Sequence, residues 1–240
     1  MIIIETRNYK EMSKCAAEII INEIIKKPKI VLGFATGETQ VELYKELIKS
    51  YRKRKIDFSN MISFNLDEYY PIKNNNKNSY YFYMQKNLFK HINIRKSNIN
   101  FLNGETENWM KECNNYEDKI KKNPIDIQIL GLGVNGHIAF NEPGVSFNSR
   151  TRVIDLSPET RRRNSKFFKS IDDVPKKALS MGIATINHSK KIIVLASGVD
   201  KARVVKCLVE GKINKKCPAS ALKKHKNLIL IIDKKAASLL

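Results

Sequence analysis

The sequence predicts an α/β fold with a mostly parallel sheet and helices on both faces, arranged as one domain over residues 1–240. Short apolar runs alternate along the chain with segments of helical periodicity, as in successive βα units. Several of these runs are apolar nearly throughout, which is typical of strands covered on both faces. No linker rich in proline, glycine or serine divides the 240 residues, a length that fits one large α/β domain.

The order of apolar runs and periodic segments along the chain predicts the order of the strands and helices. Six apolar runs are the predicted strands: Ile30–Ala35, Met61–Leu66, Ile125–Leu130, Leu179–Ala184, Ile192–Ala196 and Leu228–Ile232. Five periodic segments are the predicted helices: Tyr9–Lys26, Val41–Arg54, Ser79–Phe89, Thr106–Lys121 and Val199–Val209. Asn78-Ser79 and Thr39 are predicted N-caps, because their side-chain oxygens can accept hydrogen bonds from the first helical turn. Ligands bind beyond the carboxyl ends of the strands in such sheets, so the residues after each strand are functional candidates.

The chain is strongly basic, with 44 lysine and arginine residues against 24 aspartate and glutamate residues and a formal net charge of +20. Such a balance fits nucleic acid, an anionic membrane surface or anionic substrates. The lysines are scattered among isoleucines and asparagines, which is typical of a proteome-wide bias, and no nucleic-acid-binding module is recognisable. We therefore expect no nucleic-acid partner, although a basic surface would attract a phosphorylated metabolite.

Cysteine spacing and hydropathy predict a cytoplasmic protein. Four widely spaced cysteines lack the CxxC pattern of a zinc or redox site and are expected to be reduced: Cys15, Cys113, Cys207 and Cys217. The N-terminal MIIIETRNYK has an acidic residue directly after a short apolar burst, unlike a signal peptide. No apolar stretch approaches the roughly 18 residues that span a bilayer, so no membrane partner is expected.

The run Ile30–Ala35 is followed by Thr36, Gly37, Glu38 and Thr39, a polar turn that leads into a predicted helix. Backbone N–H groups, hydroxyls and the positive end of a helix dipole at such a turn suit a phosphate. The pattern is neither a P-loop nor a GxGxxG fingerprint, so nucleotide binding is not predicted. On these residues alone an anion site and a plain capped turn are equally supported, since the carboxylate of Glu38 repels an anion unless it points away.

The second strand is followed by Asp67 and Glu68, two adjacent carboxylates. An isolated pair of this kind is usually a turn former or a solvated pair. Here the surroundings are apolar, and an aspartate at the end of a buried strand can have a raised pKa and act as a base. Neighbours in an extended segment point in opposite directions, so only one of the two carboxylates is expected to face the cleft.

The third strand leads into LGLGVNGHIAFNEP, where two glycines allow a sharp turn and a close approach to a ligand. Asn135, His137 and Glu142 then place an acceptor, an imidazole and a carboxylate in one loop. Histidine suits proton transfer at neutral pH, and its place after a central strand favours catalysis over a merely structural role. The remaining histidines lie in basic, exposed-looking contexts and are poor candidates: His91, His188 and His225. No metal-ligand spacing and no GxSxG elbow accompany this loop.

These motifs, taken together, resemble the glucosamine-6-phosphate deaminase family. The resemblance covers nearly the whole chain and is carried by LGFATGETQVELYKEL, SFNLDEYYPI, NSYYFYMQKNLFKHI, LGLGVNGHIAFNEPGVSFNSRTR and VLASGVDKARVVKCLVEG. It implies a modified Rossmann-like fold that is shared with sugar-phosphate isomerases and lactonases. It also implies an enzyme that opens the ring of glucosamine 6-phosphate, moves a proton from C2 to C1 through an enolamine, and hydrolyses the imine to fructose 6-phosphate and ammonia.

The resemblance also implies roles for individual residues. Asp67 matches the base that abstracts the C2 proton, and His137 matches the acid/base that opens the ring. Asn135 and Glu142 match the positions that orient and assist that histidine. Five residues match phosphate-binding positions: Thr36, Gly37, Thr39, Lys166 and Lys201. The substrate is then a phosphorylated amino sugar, and neither a cofactor nor a metal is expected.

The chain departs from the family pattern at several site positions. Glu38 stands where glycine is usual and Gln40 where proline is usual, two changes that bear on phosphate affinity and loop geometry. Lys166 replaces an arginine and supplies charge without a bidentate fork. Asn135 replaces an aspartate, so we expect it to orient the imidazole through its carbonyl while Glu142 provides the charge support.

Regulation and assembly are less defined by the sequence. Arg152 matches one allosteric-site position of the larger members, but Ile154 replaces the companion lysine, and the chain stops short of their C-terminal region. Regulation by an amino-sugar phosphate is therefore not expected. A homo-oligomer is one of the assemblies that the sequence allows. The competing functions are a 6-phosphogluconolactonase-like hydrolase, a non-catalytic sugar-phosphate-binding regulator and a basic nucleic-acid binder that retains the fold.

Overall fold

The computed structural model describes all residues from 1 to 240. Ten strands are formed: β1 Ile2–Thr6, β2 Val31–Phe34, β3 Ile62–Asn65, β4 Asp67–Tyr70, β5 Ile99–Asn100, β6 Ile127–Gly131, β7 Arg152–Asp155, β8 Lys177–Ser180, β9 Lys191–Ala196 and β10 Leu228–Asp233. Seven α-helices accompany them: α1 Tyr9–Lys26, α2 Val41–Arg52, α3 Tyr80–Asn87, α4 Trp109–Lys122, α5 Pro158–Asn164, α6 Ile183–Asn187 and α7 Ala202–Val209. None of these helices is long and apolar enough to cross a lipid bilayer.

Seven strands form one parallel sheet in the order β1-β10-β9-β6-β2-β3-β5. Its two faces bury separate apolar cores of 30 and 24 residues. Strand β9 shows why its run is apolar throughout: Ile192 and Val194 belong to one core, whereas Ile193 and Leu195 belong to the other. The predicted α/β fold, with a mostly parallel sheet covered on both faces, is confirmed.

A second sheet of three antiparallel strands, β4-β8-β7, packs beside the large one. The predicted strand Leu179–Ala184 is wrong beyond Ser180, because the chain leaves β8 there and enters the short helix α6. Gly182 marks the change, since a Cβ at this position would lie 2.1 Å from the carbonyl oxygen of Ser149. A short buried apolar run fits a strand or a helix equally well, which explains the error.

The N-terminal burst Ile2–Thr6 is also a strand, which the sequence pattern did not predict. It forms β1 at one edge of the sheet by pairing in parallel with β10. Only one of its sides is covered by a neighbouring strand, and Ile2 and Ile3 stay exposed. The pattern of a half-exposed edge strand is weaker than that of a buried strand.

Helix boundaries follow local capping, with two corrections to the predicted starts. Ser79 is the N-cap of α3, as predicted, because its Oγ accepts a hydrogen bond from the N–H of Phe82 at 3.0 Å. Thr39 is not the cap of α2, because a 3₁₀ turn over Glu38–Gln40 precedes that helix. Helix α4 begins three residues later than predicted, after the cap Asn108.

Candidate functional site

A cavity of about 400 Å³ lies beyond the carboxyl ends of β2, β3, β6 and β9. Six of the nine predicted site residues line it: Thr36, Gly37, Thr39, Asp67, His137 and Lys201. Asn135, Glu142 and Lys166 do not line it. Parallel strands bring their carboxyl ends to one edge, which explains why residues far apart in sequence meet here.

The turn after β2 is held in a fixed shape by two tyrosines. The hydroxyl of Tyr83 donates to the carbonyl of Gly37 at 2.7 Å, and the hydroxyl of Tyr9 donates to the carbonyl of Glu38 at 2.8 Å. Gly37 has φ +107°, a conformation that other residues rarely adopt. The N–H groups and hydroxyls of this turn are therefore held at the cavity wall before any ligand binds.

Gln40 joins this turn to the loop after β6. The side chain is buried, and its amide bridges the carbonyl oxygen of Thr36 at 3.2 Å and the N–H of Gly131 at 3.1 Å. The orientation that satisfies both partners has Nε2 donating to Thr36 and Oε1 accepting from Gly131. Proline, which the family usually has at this position, could make neither bond.

Asp67 and Glu68 face opposite sides of β4, as predicted. Asp67 lines the cavity, whereas Glu68 points towards the start of α3. Burial, with a smaller contribution from the charge of Glu68, raises the pKa of Asp67 to about 8. This carboxylate is thus both accessible to a ligand in the cavity and a stronger base than an ordinary aspartate.

Glu68 anchors helix α3. Its Oε1 accepts from the N–H groups of Tyr69 and Tyr80, and its Oε2 accepts from the N–H of Tyr81, all within 2.9 Å. Burial raises the pKa of Glu68 to about 7, although these three donors favour the charged form. Glu68 is therefore fixed in place by backbone N–H groups. It adds charge beside the candidate base Asp67 but does not line the cavity.

His137 lies across the cavity on the glycine-containing loop after β6. Its carbonyl accepts a hydrogen bond from the N–H of Gly133 at 2.9 Å, which closes the loop. A Cβ on Gly133 would lie 2.4 Å from the imidazole ring, so only glycine leaves room for this ring position. The loop therefore determines where the imidazole meets the cavity.

Glu142 and Asn135 form the support behind the histidine. Glu142 Oε1 lies 3.6 Å from His137 Nδ1, and Glu142 Oε2 accepts from Asn135 Nδ2 at 2.8 Å. Asn135 Oδ1 accepts from the backbone N–H of His137 at 3.2 Å and does not contact the ring, in contrast to the predicted carbonyl–imidazole contact. Burial alone would raise the pKa of Glu142, but the nearby imidazole of His137 and hydrogen bonds from Thr160 and Asn135 outweigh it and lower that pKa to about 2.

Thr160 completes this support and was not identified from the sequence. Its hydroxyl donates to Glu142 Oε1 at 2.7 Å and accepts from the hydroxyl of Ser157, the N-cap of α5. The pattern Ser157-Pro158-Glu159-Thr160 is a helix start that sequence inspection could have recognised. Nothing in that pattern indicates that the threonine reaches a loop 18 residues away.

The cations at the site come from separate segments. Lys201 lines the cavity, and its ammonium is 3.5 Å from Asp200 Oδ2. Lys166 instead forms an ion pair with Glu38, with 2.9 Å between Nζ and Oε1. Two further cations, Lys77 and Arg163, line the cavity and were not among the sequence candidates.

Metal ligation is not favoured by the arrangement of side chains. No group of three or more histidine, cysteine, aspartate or glutamate residues is placed to hold a metal ion. The four cysteines are free thiols, two of them buried. The cavity lining includes a carboxylate, an imidazole, hydroxyls and cations, groups that suit proton transfer and anion binding.

The fold and the cavity define an α/β protein with a carboxylate, an imidazole and a polar turn at the carboxyl ends of its strands. The chain belongs to the glucosamine-6-phosphate isomerases/6-phosphogluconolactonase family, whose model matches residues 7–230. A glucosamine-6-phosphate deaminase of Clostridium botulinum strain Langeland is 53% identical over 239 residues, covering 99% of this chain and 98% of that one.

Solved structures show the same fold. The structure described as a monomeric glucosamine-6-phosphate deaminase superposes with a TM-score of 0.97 at 45% identity, covering 100% of both chains. The 6-phosphogluconolactonase of Thermotoga maritima superposes with a TM-score of 0.77 at 20% identity, covering 97% of this chain and 99% of that one. At that identity the second likeness concerns the fold alone.

Proposed function

We propose that the protein is a glucosamine-6-phosphate deaminase, which converts glucosamine 6-phosphate and water to fructose 6-phosphate and ammonia. The observation that carries this proposal is that Asp67 and His137 line one cavity, with Glu142 placed behind the imidazole. The deaminase relatives at 53% and 45% identity over the full chain support the same reaction. The proposed enzyme acts in the cytoplasm, as one domain that spans residues 1–240.

The reaction needs two kinds of proton transfer, and the cavity offers a separate group for each. A C2 proton becomes acidic only when C1 is a carbonyl, so the pyranose ring must open first. His137 is the proposed acid/base for that step, serving the ring oxygen and the C1 hydroxyl, with Glu142 stabilising the charged imidazole. Asn135 holds Glu142 and the histidine backbone in place.

Asp67 is the proposed base for the second step. It takes the C2 proton of the open-chain sugar, and delivery of a proton to C1 completes the shift from aldose to ketose through an enolamine. The nitrogen at C2 is then an imine, and water adds to that carbon as ammonia leaves. A carboxylate with a pKa of about 8 is well matched to removing a carbon-bound proton near neutral pH.

The phosphate is the proposed handle that positions the sugar. Thr36, Gly37 and Thr39 present hydroxyls and N–H groups at the cavity wall, and Lys201 adds a positive charge. Lys166 stays a candidate phosphate contact, but its ammonium is paired with Glu38 before the substrate binds. Binding energy from the phosphate would hold C1 and C2 between the two acid–base groups.

An ammonia-release assay with glucosamine 6-phosphate tests the proposal. We expect Asp67→Asn and His137→Gln each to lower kcat by about 10²–10⁴-fold while the KM changes little. His91→Gln is the matched control, because His91 is exposed and its ring contacts only the carbonyl of Lys86. Folded protein that releases neither ammonia nor fructose 6-phosphate would refute the enzyme assignment.

A lactonase is the alternative with a structural basis, since 6-phosphogluconolactonases share the fold. Their identity to this chain is only 20%, whereas the deaminase relatives reach 53%. Hydrolysis of 6-phosphogluconolactone by the same preparation, measured beside ammonia release, separates the two activities.

A further inference from the structure

Three consecutive arginines on α5 lie in three different environments. The guanidinium of Arg161 donates to the carbonyls of Ile171 and Val174 and so holds the following loop. Arg162 is exposed, and its guanidinium forms no hydrogen bond within the protein. Arg163 alone of the three lines the cavity.

Most of the guanidinium of Arg163 is available to a ligand. Its one partner is the exposed carboxylate of Glu159, four residues earlier on the same helix, at 2.8 Å from Nη2. Exposed pairs of this type contribute little to stability, so Glu159 is easily displaced. The Nε and Nη1 groups form no hydrogen bond within the protein. Once a ligand displaces Glu159 from Nη2, the guanidinium can present two parallel donors, Nη2 with Nε or with Nη1, in the fork geometry that suits a phosphate.

Lys166 lies one turn further along the same segment, and its position is less suited to this role. Residues three apart share a face of a helical segment, so Arg163 and Lys166 approach the same region. The ammonium of Lys166 is held by Glu38 at 2.9 Å and lies 4.9 Å from the ring centroid of Phe167. Both ion pairs are exposed and easily broken. The difference between the two cations is that Arg163 lines the cavity and Lys166 does not.

We propose that Arg163 is a phosphate-binding residue, and that it supplies the bidentate contact which the lysine at position 166 does not. This inference rests on the proposed function for the identity of the ligand, a sugar phosphate. With Lys201 from the segment after β9, Arg163 would hold the phosphate between two positive charges that lie on separate elements.

Calorimetric titration with inorganic phosphate at low ionic strength tests the proposal without any turnover. We expect Arg163→Ala to raise the Kd for phosphate by about 10–100-fold, because a charge-assisted pair is lost. Arg163→Lys should recover only part of this loss, since it keeps the charge but not the fork. Arg162→Ala removes the same charge from the neighbouring exposed position and should change the Kd less than about 2-fold, because exposed charges away from the site are screened.

Two outcomes would overturn the proposal. One is an equal loss for Arg162→Ala and Arg163→Ala, which would mean that only the overall charge matters. The other is a larger loss for Lys166→Met than for Arg163→Ala, which would assign the contact to the lysine. Circular dichroism of each variant verifies that it is folded. A failure of the ammonia assay leaves this titration valid, so the two proposals fail separately.

Discussion

Thr160 and Glu142 are joined by a 2.7 Å hydrogen bond from the threonine hydroxyl to carboxylate Oε1, the oxygen that also faces His137 Nδ1 at 3.6 Å. Thr160 lies on α5, the segment that also carries Arg163. The support behind the histidine and one of the cations at the cavity, Arg163, therefore share one short helix. A movement of α5 would change both at once.

Replacing Thr160 tests this coupling. Thr160→Val keeps the shape but removes the donor, so we expect the pKa of Glu142 to rise from about 2 towards its ordinary value of 4.5. We also expect kcat to fall about 10-fold with a smaller change in KM, because a charged hydrogen bond is lost behind the reacting group. Carboxyl NMR titration and steady-state kinetics measure the two effects. Thr160→Ser, which keeps the hydroxyl, is the control, and a loss in it as large as in Thr160→Val would mean that the fit of the side chain, and not the hydrogen bond alone, determines the effect.

The burial of Asp67, with a smaller contribution from the charge of Glu68, should set the pH at which the enzyme becomes active. The base must be ionised, and the pKa of Asp67 is about 8, so kcat/KM should rise with pH up to about 8. The charge of Glu68 contributes to that raised pKa. Glu68→Gln removes the charge, so the acidic limb of the profile should move to lower pH. An unchanged limb would mean that Asp67 is not the group whose ionisation limits the rate.

Sequence reasoning located the residues that directly follow the strands of the large sheet. Thr36, Asp67 and His137 were identified because parallel strands end at one edge, and all three line the cavity. Thr160 and Arg163 were missed because they lie on α5, between two strands of the small sheet. The antiparallel pairing of that sheet joins distant segments, and hydrophobic periodicity does not specify which distant segments pair.

The sequence pattern also did not indicate which side chains distant in the chain contact each other. Glu38 and Lys166 are separated by 128 residues, yet their side chains meet at 2.9 Å. Each was recognised as unusual for the family, but separately. The ion pair gives the two departures one physical explanation, since each charge compensates the other.

The ionised form of Asp67 should lower the free energy of unfolding of the protein. Its pKa in the folded state, about 8, lies above its ordinary value of 3.8, so ionisation costs the folded state free energy as the pH rises between these values. Asp67→Asn should therefore be more stable than the wild type at pH 8, by at least about 1 kcal/mol, which raises the Tm by about 2–4 °C.

The stability gain of Asp67→Asn should disappear at about pH 3 and below, under the ordinary aspartate pKa of 3.8, where the carboxyl group is mostly protonated in both states. Thermal melts at the two pH values measure it. Asp118→Asn, at an exposed position on α4, is the control for the loss of one charge. A gain of equal size at both pH values would point to a packing effect of the amide and not to the titration of Asp67.

Glu38 should weaken the binding of the phosphate that the cavity is proposed to hold. It lines the cavity, adds a negative charge beside the turn after β2 and occupies the ammonium of Lys166 at 2.9 Å. Glu38→Gln removes the repulsion and frees the ammonium of Lys166. We therefore expect the KM for glucosamine 6-phosphate to fall by about 3–10-fold at low salt. The decrease should be smaller at high salt, where exposed charges are screened. Glu46→Gln is the matched control, because it makes the same charge change at a carboxylate paired with Lys49, away from the cavity. Equal effects in the two variants would attribute the change to net charge, and a KM that rises in Glu38→Gln would show that the ion pair organises the site for the substrate.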